Sequence, residues 1–184
     1  FLDRLRELGL LERTLPSTEE DPDISRKGRY RIIDPFHRFW FKYVYANQDF
    51  VAMGKIDKII NLIKADYPEI MGNAIYEILV HDLKGKNEFF DISSIGRWWD
   101  KDNRMQLVGL GEKDVLFGAI LWQDKPATSN DLHSLIQISH LVQVPKRIRR
   151  DAYLIFCNAG FSKDLERETK RKDEMIALYS LDKI

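Results

Sequence analysis

The first apolar pattern in the chain is a helical stripe that gives way to an alternating stretch. Leucines recur at three-residue spacing at Leu2, Leu5 and Leu8. Gly9 then supplies a stop, which predicts a short amphipathic helix. A polar stretch follows and leads through Gly28, which lies between basic residues, into the alternation of residues 30–32. A helix followed by a two-stranded hairpin is typical of the back half of a winged helix-turn-helix, which we assign to residues 1–33.

Aromatic residues at helical spacing dominate the next segment. Asp34 and Pro35 form a helix start, with the cap at the aspartate. One side of this helix carries Phe36, Phe39, Trp40 and Tyr43, and the other carries Phe41 and Tyr45. Because the helix is apolar nearly all round, we expect it to be buried on two sides. A second helix has a cleaner stripe of Ile56, Ile59, Ile60 and Ile63. We interpret residues 34–66 as a helical linker.

The remaining residues, 67–184, predict an α/β domain. A third helix begins at Tyr67 and stops at Gly85, and the period then changes to that of strands. Three strands are predicted in FFDISSIGRWW, MQLVGLG and VLFGAILW, with residues 111–114 as the turn between the last two. A capped helix, the buried strand DAYLIFCNAG, a charged helix and the strand MIALYSL follow. The order α-β-β-β-α-β-α-β predicts a mixed sheet flanked by helices.

Composition narrows the classes of protein that fit this pattern. Apolar residues make up 44% of the chain, enough for a packed core, and the 29 basic residues balance 29 acidic ones. A whole-chain basic field is therefore excluded, although local patches can still bind phosphate. A single cysteine, Cys157, fits a reducing cytoplasm, and no apolar run reaches membrane-spanning length. Because the chain starts at Phe1 inside an amphipathic pattern, we expect a fragment of a longer protein.

Several strings carry a resemblance to a known family. These are YRIIDPFHRFWFKYVYAN, IGRWWDKD, LVGLGEKDVLFGAILW and YLIFCNAGF. They resemble the C-terminal region of archaeal ATPases of the STAND type, also called DEXX-box ATPases. The element order resembles the restriction-endonuclease-like PD-(D/E)XK nuclease fold. The resemblance implies an upstream P-loop ATPase domain as a partner, with ATP and Mg²⁺ expected only there. The chain itself has no G-x-x-x-x-G-K-[ST] motif and needs no cofactor of its own.

The resemblance also identifies the positions of a nuclease site. In such nucleases the carboxylates of an aspartate on one strand and of a glutamate-x-lysine on the next hold Mg²⁺, which activates water, and the lysine adds positive charge at the transition state. The matching positions here are Gln106, Ala119 and Leu121, with Glu77 on the preceding helix as a possible surviving acid. One carboxylate cannot assemble the site alone, so we predict no catalytic and no metal site. The alternative is an active nuclease with relocated ligands, for which the candidates are Glu112, Asp114 and Lys125. The turn placement of the first two favours plain solvation.

Two basic clusters are candidates for binding double-stranded DNA. The first lies on the inferred wing and comprises Arg26, Lys27, Arg29 and Arg31. The second precedes a buried strand and comprises Lys146, Arg147, Arg149 and Arg150. Such residues contact phosphates, but charged hairpins and solvated loops have the same composition. Trp98 and Trp99 could stack on bases, but we expect at least one indole to be buried. We therefore predict a non-catalytic DNA- or partner-binding region; a protein-interaction module that regulates the upstream ATPase is a further alternative.

Overall fold

The computed structural model describes residues 1–85, 92–144, 150–171 and 175–183. The chain divides into two compact units. The first comprises Phe1–Leu15 and Ile24–Tyr67, and the second comprises Pro16–Asp23 and Pro68–Ile184. The segment between the two strands of the predicted hairpin thus groups with the second unit, where the Ser17 amide donates to the Arg97 carbonyl at 2.8 Å.

The first unit begins with the predicted helix and hairpin. Helix α1 spans Leu2–Glu7, and strands β1 (Leu11–Thr14) and β2 (Arg29–Ile32) pair antiparallel. Gly9 follows the helix with a φ of +68°, a left-handed conformation that glycine adopts without steric cost. The helix and hairpin predicted from the leucine stripe and the alternation around Tyr30 are confirmed.

The aromatic segment changes its helical type along its length. Helix α2 (Pro35–Phe39) begins at Asp34, whose carboxylate accepts the His37 amide at 2.7 Å. A π-helix (Trp40–Val44) and a 3₁₀ turn (Tyr45–Asn47) follow, and α3 spans Gln48–Ala52. The predicted cap at Asp34 is confirmed. The π-helical turn was not predicted. Such turns are rare in proteins, and those that occur often lie at functional sites.

Most of the aromatic side chains in this segment are exposed. Tyr43 is 3% exposed, whereas Phe36 is 65% exposed, and Phe39, Trp40, Phe41 and Tyr45 are all exposed as well. The expectation that the helix is buried on two sides is therefore wrong for this chain by itself. Within the described residues of the first unit, the buried apolar side chains are Tyr43 and Ile59, so no second layer covers the aromatic side. We call the four exposed rings Phe36, Trp40, Phe41 and Tyr45, which lie as two pairs on the two sides of this helix, the aromatic face.

The Asp34 cap predicts a dependence of stability on pH. The hydrogen bond from the His37 amide holds the pKa of Asp34 below its ordinary value of 3.8. A lowered pKa in the folded state contributes stability above the unfolded pKa, and this contribution is lost as the pH falls through the folded pKa. We expect Asp34→Ala to lower the melting temperature by about 3 °C near neutral pH.

The matched variant is Asp34→Asn, which also caps helices but does not titrate. Thermal melts followed by circular dichroism should show a shallower loss of stability below about pH 4 for Asp34→Asn than for the unmodified chain. Identical pH profiles for the two proteins would contradict a titrating cap at this position.

Helix α4 spans Ile56–Gly85 and contains Pro68. Two helices were predicted here, the first with the isoleucine stripe and the second beginning at Tyr67. The structure has one continuous helix instead. Proline has a helical φ, but it removes one backbone donor and crowds the carbonyl four residues earlier, so the sequence alone favoured a break at this position.

A five-stranded sheet forms the centre of the second unit. Its strands are β3 (Ser94–Trp99), β4 (Arg104–Leu110), β5 (Asp114–Leu121), β6 (Arg150–Cys157) and β7 (Met175–Tyr179), in that spatial order. The first three pair antiparallel, and β6 lies parallel to both β5 and β7. Helices α5 (Ser129–Ser139) and α6 (Lys163–Arg171) connect the parallel strands, and a 3₁₀ turn (Leu181–Lys183) follows. The predicted mixed sheet flanked by helices is confirmed.

Apolar side chains cover both faces of the central strands. On one face Phe117 and Ile155 pack with Leu132 of α5 and Leu165 of α6. On the other face Leu116, Leu154 and Phe156 pack with Ile75, Leu79 and Leu83 of α4. Alternate residues of one strand therefore enter two different cores, as expected for a strand with helices on both sides.

Candidate functional site

The hairpin of the first unit positions its basic residues by strand register. Arg31 lies opposite Glu12, and its guanidinium forms an ion pair with that carboxylate. Arg29 lies opposite Thr14, so Arg29 and Arg31 share one side of the hairpin by the two-residue period. The charge of Arg31 is thus offset within the hairpin. Arg29 is exposed.

The other two predicted cations lie in residues 25–28, a segment that bends at Arg26 and enters β2 and that we call the turn of residues 25–28. Arg26 and Lys27 are both exposed, and the Lys27 amide donates to Ser25 Oγ at 3.2 Å. The Arg13 guanidinium, reaching across from β1, donates to the Ser25 carbonyl oxygen at 2.5 Å. Sequence reasoning missed Arg13, because the alternation of β1 does not show which turn atom a long side chain reaches. We call Arg26, Lys27 and Arg29 the wing cations.

The balanced charge of the chain hides a separation between the two units. The first unit contains twelve basic and seven acidic residues, a net charge of +5. The second contains seventeen basic and twenty-two acidic residues, a net charge of −5. A count along the sequence could have found this asymmetry.

Gln106, at the nuclease-like aspartate position, lies in an irregularity of β4. Gly96 pairs with Val108 but Trp98 pairs with Met105, so β4 has one extra residue at this point. The Gln106 side-chain oxygen Oε1 accepts a hydrogen bond from the Ile120 amide at 2.7 Å and so extends the pairing of β4 with β5. The side-chain oxygen that could approach a cation therefore already accepts a hydrogen bond from a backbone amide.

The positions of the nuclease glutamate and lysine offer a cation no ligand. Ala119 and Leu121 are half-buried and pack against the apolar core beneath α5 and α6. Glu77 is exposed on α4. Among the residues that the structure describes, no three histidine, cysteine, aspartate or glutamate side chains come close enough to hold a metal ion.

The candidates for relocated ligands are separated along the sheet. Asp114 is 1% exposed, so the expectation that it is a solvated turn residue is wrong. It is the first residue of β5, and its two oxygens accept Arg150 Nε at 2.7 Å and Nη2 at 2.9 Å. Glu112 is exposed in the preceding turn, and Lys125 follows the far end of β5, about 25 Å away along an eight-residue strand. They do not form one site.

The second basic cluster is described only at its last residue. Lys146, Arg147 and Arg149 lie outside the described residues. Arg150 is the first residue of β6. Its hydrogen bonds to the Asp114 carboxylate raise the pKa of the guanidinium above its ordinary value. A role of these four residues in DNA binding stays a prediction.

The tryptophan pair is buried. Trp98 and Trp99 are both below 10% exposure, which confirms that at least one indole lies in the core. The neighbouring Arg97 donates to Asn73 Oδ1 at 2.7 Å and lies over the Tyr76 ring at 4.1 Å. Arg97 is therefore held against α4.

Comparison with known proteins identifies relatives without a known activity. Residues 40–134 match the profile of the DUF234 family, described as archaeal and bacterial proteins of unknown function. An uncharacterized protein of Methanocaldococcus jannaschii is 34% identical over 130 residues, which cover 67% of this chain and 29% of that protein. The chain thus spans less than a third of that relative. No solved structure matches significantly. No helix in the described ranges is long and apolar enough to cross a membrane.

Proposed function

The chain belongs to the DUF234 family of archaeal and bacterial proteins, and from that premise we propose that it binds duplex DNA through its first unit without cleaving it. The observation that supports this most is the net charge of +5 on a unit that contains a helix and a β-hairpin. Exposed lysine and arginine side chains on such a hairpin can contact phosphates, which dominate non-specific affinity for DNA. The wing cations are the residues to which we assign this contact.

We do not expect the second unit to bind along the phosphate backbone of DNA. Its net charge of −5 opposes binding to a polyanion, apart from any local cluster of cations. We assign it a non-catalytic role, because a hard cation such as Mg²⁺ requires oxygen ligands and the nuclease-like positions carry an amide, a methyl and an isobutyl group. The amide oxygen of Gln106 already accepts the Ile120 amide.

The direct test is fluorescence anisotropy with a labelled duplex over a series of salt concentrations. If the three wing cations each contact one phosphate, affinity should fall roughly 40-fold between about 50 and 200 mM salt. Absence of binding, or binding that does not depend on salt, would refute the proposal.

Incubation with supercoiled plasmid and Mg²⁺ or Mn²⁺ tests the alternative of an active nuclease. We expect no cleavage. Cleavage that Glu77→Ala abolishes would instead show that relocated ligands assemble a metal site around that carboxylate.

We further propose that this region acts within a larger ATP-dependent protein, as its resemblance to the ATPase family implies. The length of the Methanocaldococcus jannaschii relative leaves room for another domain beyond the matched 29%. ATP and Mg²⁺ would bind in that domain. The test is ATP hydrolysis by the complete relative, measured with and without the region that matches this chain. A complete relative that neither binds nor hydrolyses ATP would contradict the proposal.

A second function, docking to another protein surface, is favoured by the aromatic face. Its rings contact each other in pairs along the helix: Phe36 and Trp40 stack with centroids 6.3 Å apart, and Phe41 and Tyr45 meet edge to face with centroids 5.5 Å apart. The neighbouring Lys42 is paired with Asp66 at 2.9 Å, so its charge is offset next to these rings. An exposed apolar surface whose nearby charge is offset suits a protein partner better than a polyanion.

Replacing two rings of this face should change how readily the chain associates. We expect Trp40→Ser/Phe41→Ser to reduce the binding of an apolar fluorescent dye and concentration-dependent self-association severalfold, because contiguous exposed apolar surface drives both. The measurements are dye fluorescence and sedimentation velocity. The control is Leu141→Ser, which removes an exposed apolar side chain of the second unit. Equal effects of both substitutions would show that the aromatic face is not a distinct association surface.

A further inference from the structure

Gly28 and Arg13 form a contact that the proposed DNA binding does not itself explain. A Cβ built on Gly28 would overlap the Arg13 guanidinium, with Cζ at 3.0 Å and Nη2 at 3.1 Å. The same guanidinium donates to the Ser25 carbonyl oxygen at 2.5 Å. Arg13 thus lies across the turn of residues 25–28 and contacts both of its ends.

Gly28 leaves room for the Arg13 guanidinium, and its backbone conformation does not require glycine. The glycines with positive φ among the described residues are Gly9, Gly54 and Gly160, so Gly28 has a φ that other residues also adopt. Alanine at Gly28 would therefore cause little backbone strain, but its methyl group would force the flexible Arg13 guanidinium to shift from its present position. The guanidinium of Arg13 occupies the space that the absence of a side chain at Gly28 leaves on the turn.

Arg26 and Lys27 lie within the turn that Arg13 spans. A flexible turn must lose backbone entropy when its cations contact phosphates, which weakens binding. A charge-assisted hydrogen bond to a turn carbonyl removes part of that entropy before binding. The Arg13 side chain is half-buried and directed to the Ser25 carbonyl, which separates its role from that of the exposed wing cations.

We propose that Arg13 is a positioning residue that holds the turn of residues 25–28 so that Arg26 and Lys27 meet phosphates in a fixed arrangement. This inference rests on the proposed DNA binding and adds to it the residue that orders the contact. Arg13 is not assigned a phosphate of its own.

A double-mutant cycle in the full chain tests the proposal. Gly28→Ala and Arg13→Ala should each weaken binding of a labelled duplex about tenfold, because either releases the turn. Arg13→Ala already removes the guanidinium beside Gly28 and its hydrogen bond to the Ser25 carbonyl oxygen. Adding Gly28→Ala to Arg13→Ala should therefore have no further effect on affinity. Independent, additive losses would overturn the proposal.

The salt dependence separates positioning from contact. Gly28→Ala changes no charge, so it should weaken binding while the slope of affinity against salt stays the same. Arg26→Ala should lower that slope by about 0.9, the value for one lost phosphate contact. If Gly28→Ala left the affinity unchanged, or lowered the slope as Arg26→Ala does, the positioning role would be wrong.

Trypsin gives a readout that does not involve DNA. Cleavage after Arg26 and Lys27 should be faster in Gly28→Ala and in Arg13→Ala, because proteases cut loops that open locally. The control is Gly72→Ala, whose Cβ would make only an ordinary contact at 3.9 Å and should not change cleavage at the turn. Absence of DNA binding together with faster cleavage would refute the proposed function but retain the ordering of the turn. Unchanged cleavage in both variants would refute the ordering itself.

Discussion

Removing the three wing cations should weaken duplex DNA binding about 100-fold at low salt and lower the slope of log affinity against log salt by about 2.7. The variant is Arg26→Ala/Lys27→Ala/Arg29→Ala. All three side chains are exposed, so their removal takes little buried surface from the first unit. Each phosphate contact releases condensed counterions, and this release is lost with the cation. Fluorescence anisotropy over a salt series measures both quantities.

A matched variant separates the hairpin from the charge of the unit as a whole. Lys55→Ala/Lys58→Ala/Lys64→Ala removes the same number of positive charges from exposed positions of the first unit outside the hairpin. We expect a loss of affinity several times smaller, because those lysines act only through the long-range field. If both triple variants weaken binding equally, the hairpin is not the binding site, and net charge alone accounts for the affinity.

Arg31 provides a graded comparison within the same hairpin. Its guanidinium pairs with Glu12, so a phosphate would have to compete with a carboxylate for it. Arg31→Ala should therefore change the salt slope less than Arg26→Ala. Arg31 and the three wing cations look equivalent in the sequence. The strand register shows that Arg31 lies opposite Glu12.

The local pattern of the sequence was sufficient to predict the order of elements. Helical and strand periods depend on which residues share a face, which is a property of neighbours a few positions apart. The hairpin of β1 and β2 and the series from β3 to β7 follow from such short-range patterns. The mixed sheet could also be predicted, because the buried strand β6 follows a helix and therefore pairs in parallel.

Features that depend on distant partners could not be predicted. Whether the apolar helix around Trp40 is buried depends on what packs on it, and the spacing of its aromatic residues does not show this. The bulge at Gln106 depends on how β3 and β4 align, and the sequence does not display that register. The same limit applies to Asp114, whose partner Arg150 lies 36 positions later in the chain. In the sequence Asp114 stands in a turn-like string and resembles a solvated acid.

Replacing Asp114 should destabilise the second unit more than replacing any exposed acid. Its carboxylate is 1% exposed and accepts two hydrogen bonds from Arg150, which joins the first residues of two central parallel strands. Hydrogen bonds to charged groups are individually stronger than neutral ones, and Asp114→Ala loses both. We expect the free energy of unfolding to fall by about 3 kcal/mol. Urea titration followed by circular dichroism measures this, and the melting temperature should fall by roughly 9 °C.

Three further variants show whether the pair itself causes the loss. Asp124→Ala removes an exposed loop carboxylate and should change stability by less than about 0.5 kcal/mol. Asp114→Asn keeps the shape and one acceptor oxygen, so its loss should lie between the two. Arg150→Met should be at least as damaging as Asp114→Ala, because it removes the guanidinium and leaves a carboxylate buried. If Asp114→Ala were no more destabilising than Asp124→Ala, the pair would contribute nothing to stability, and the burial of Asp114 would need another explanation.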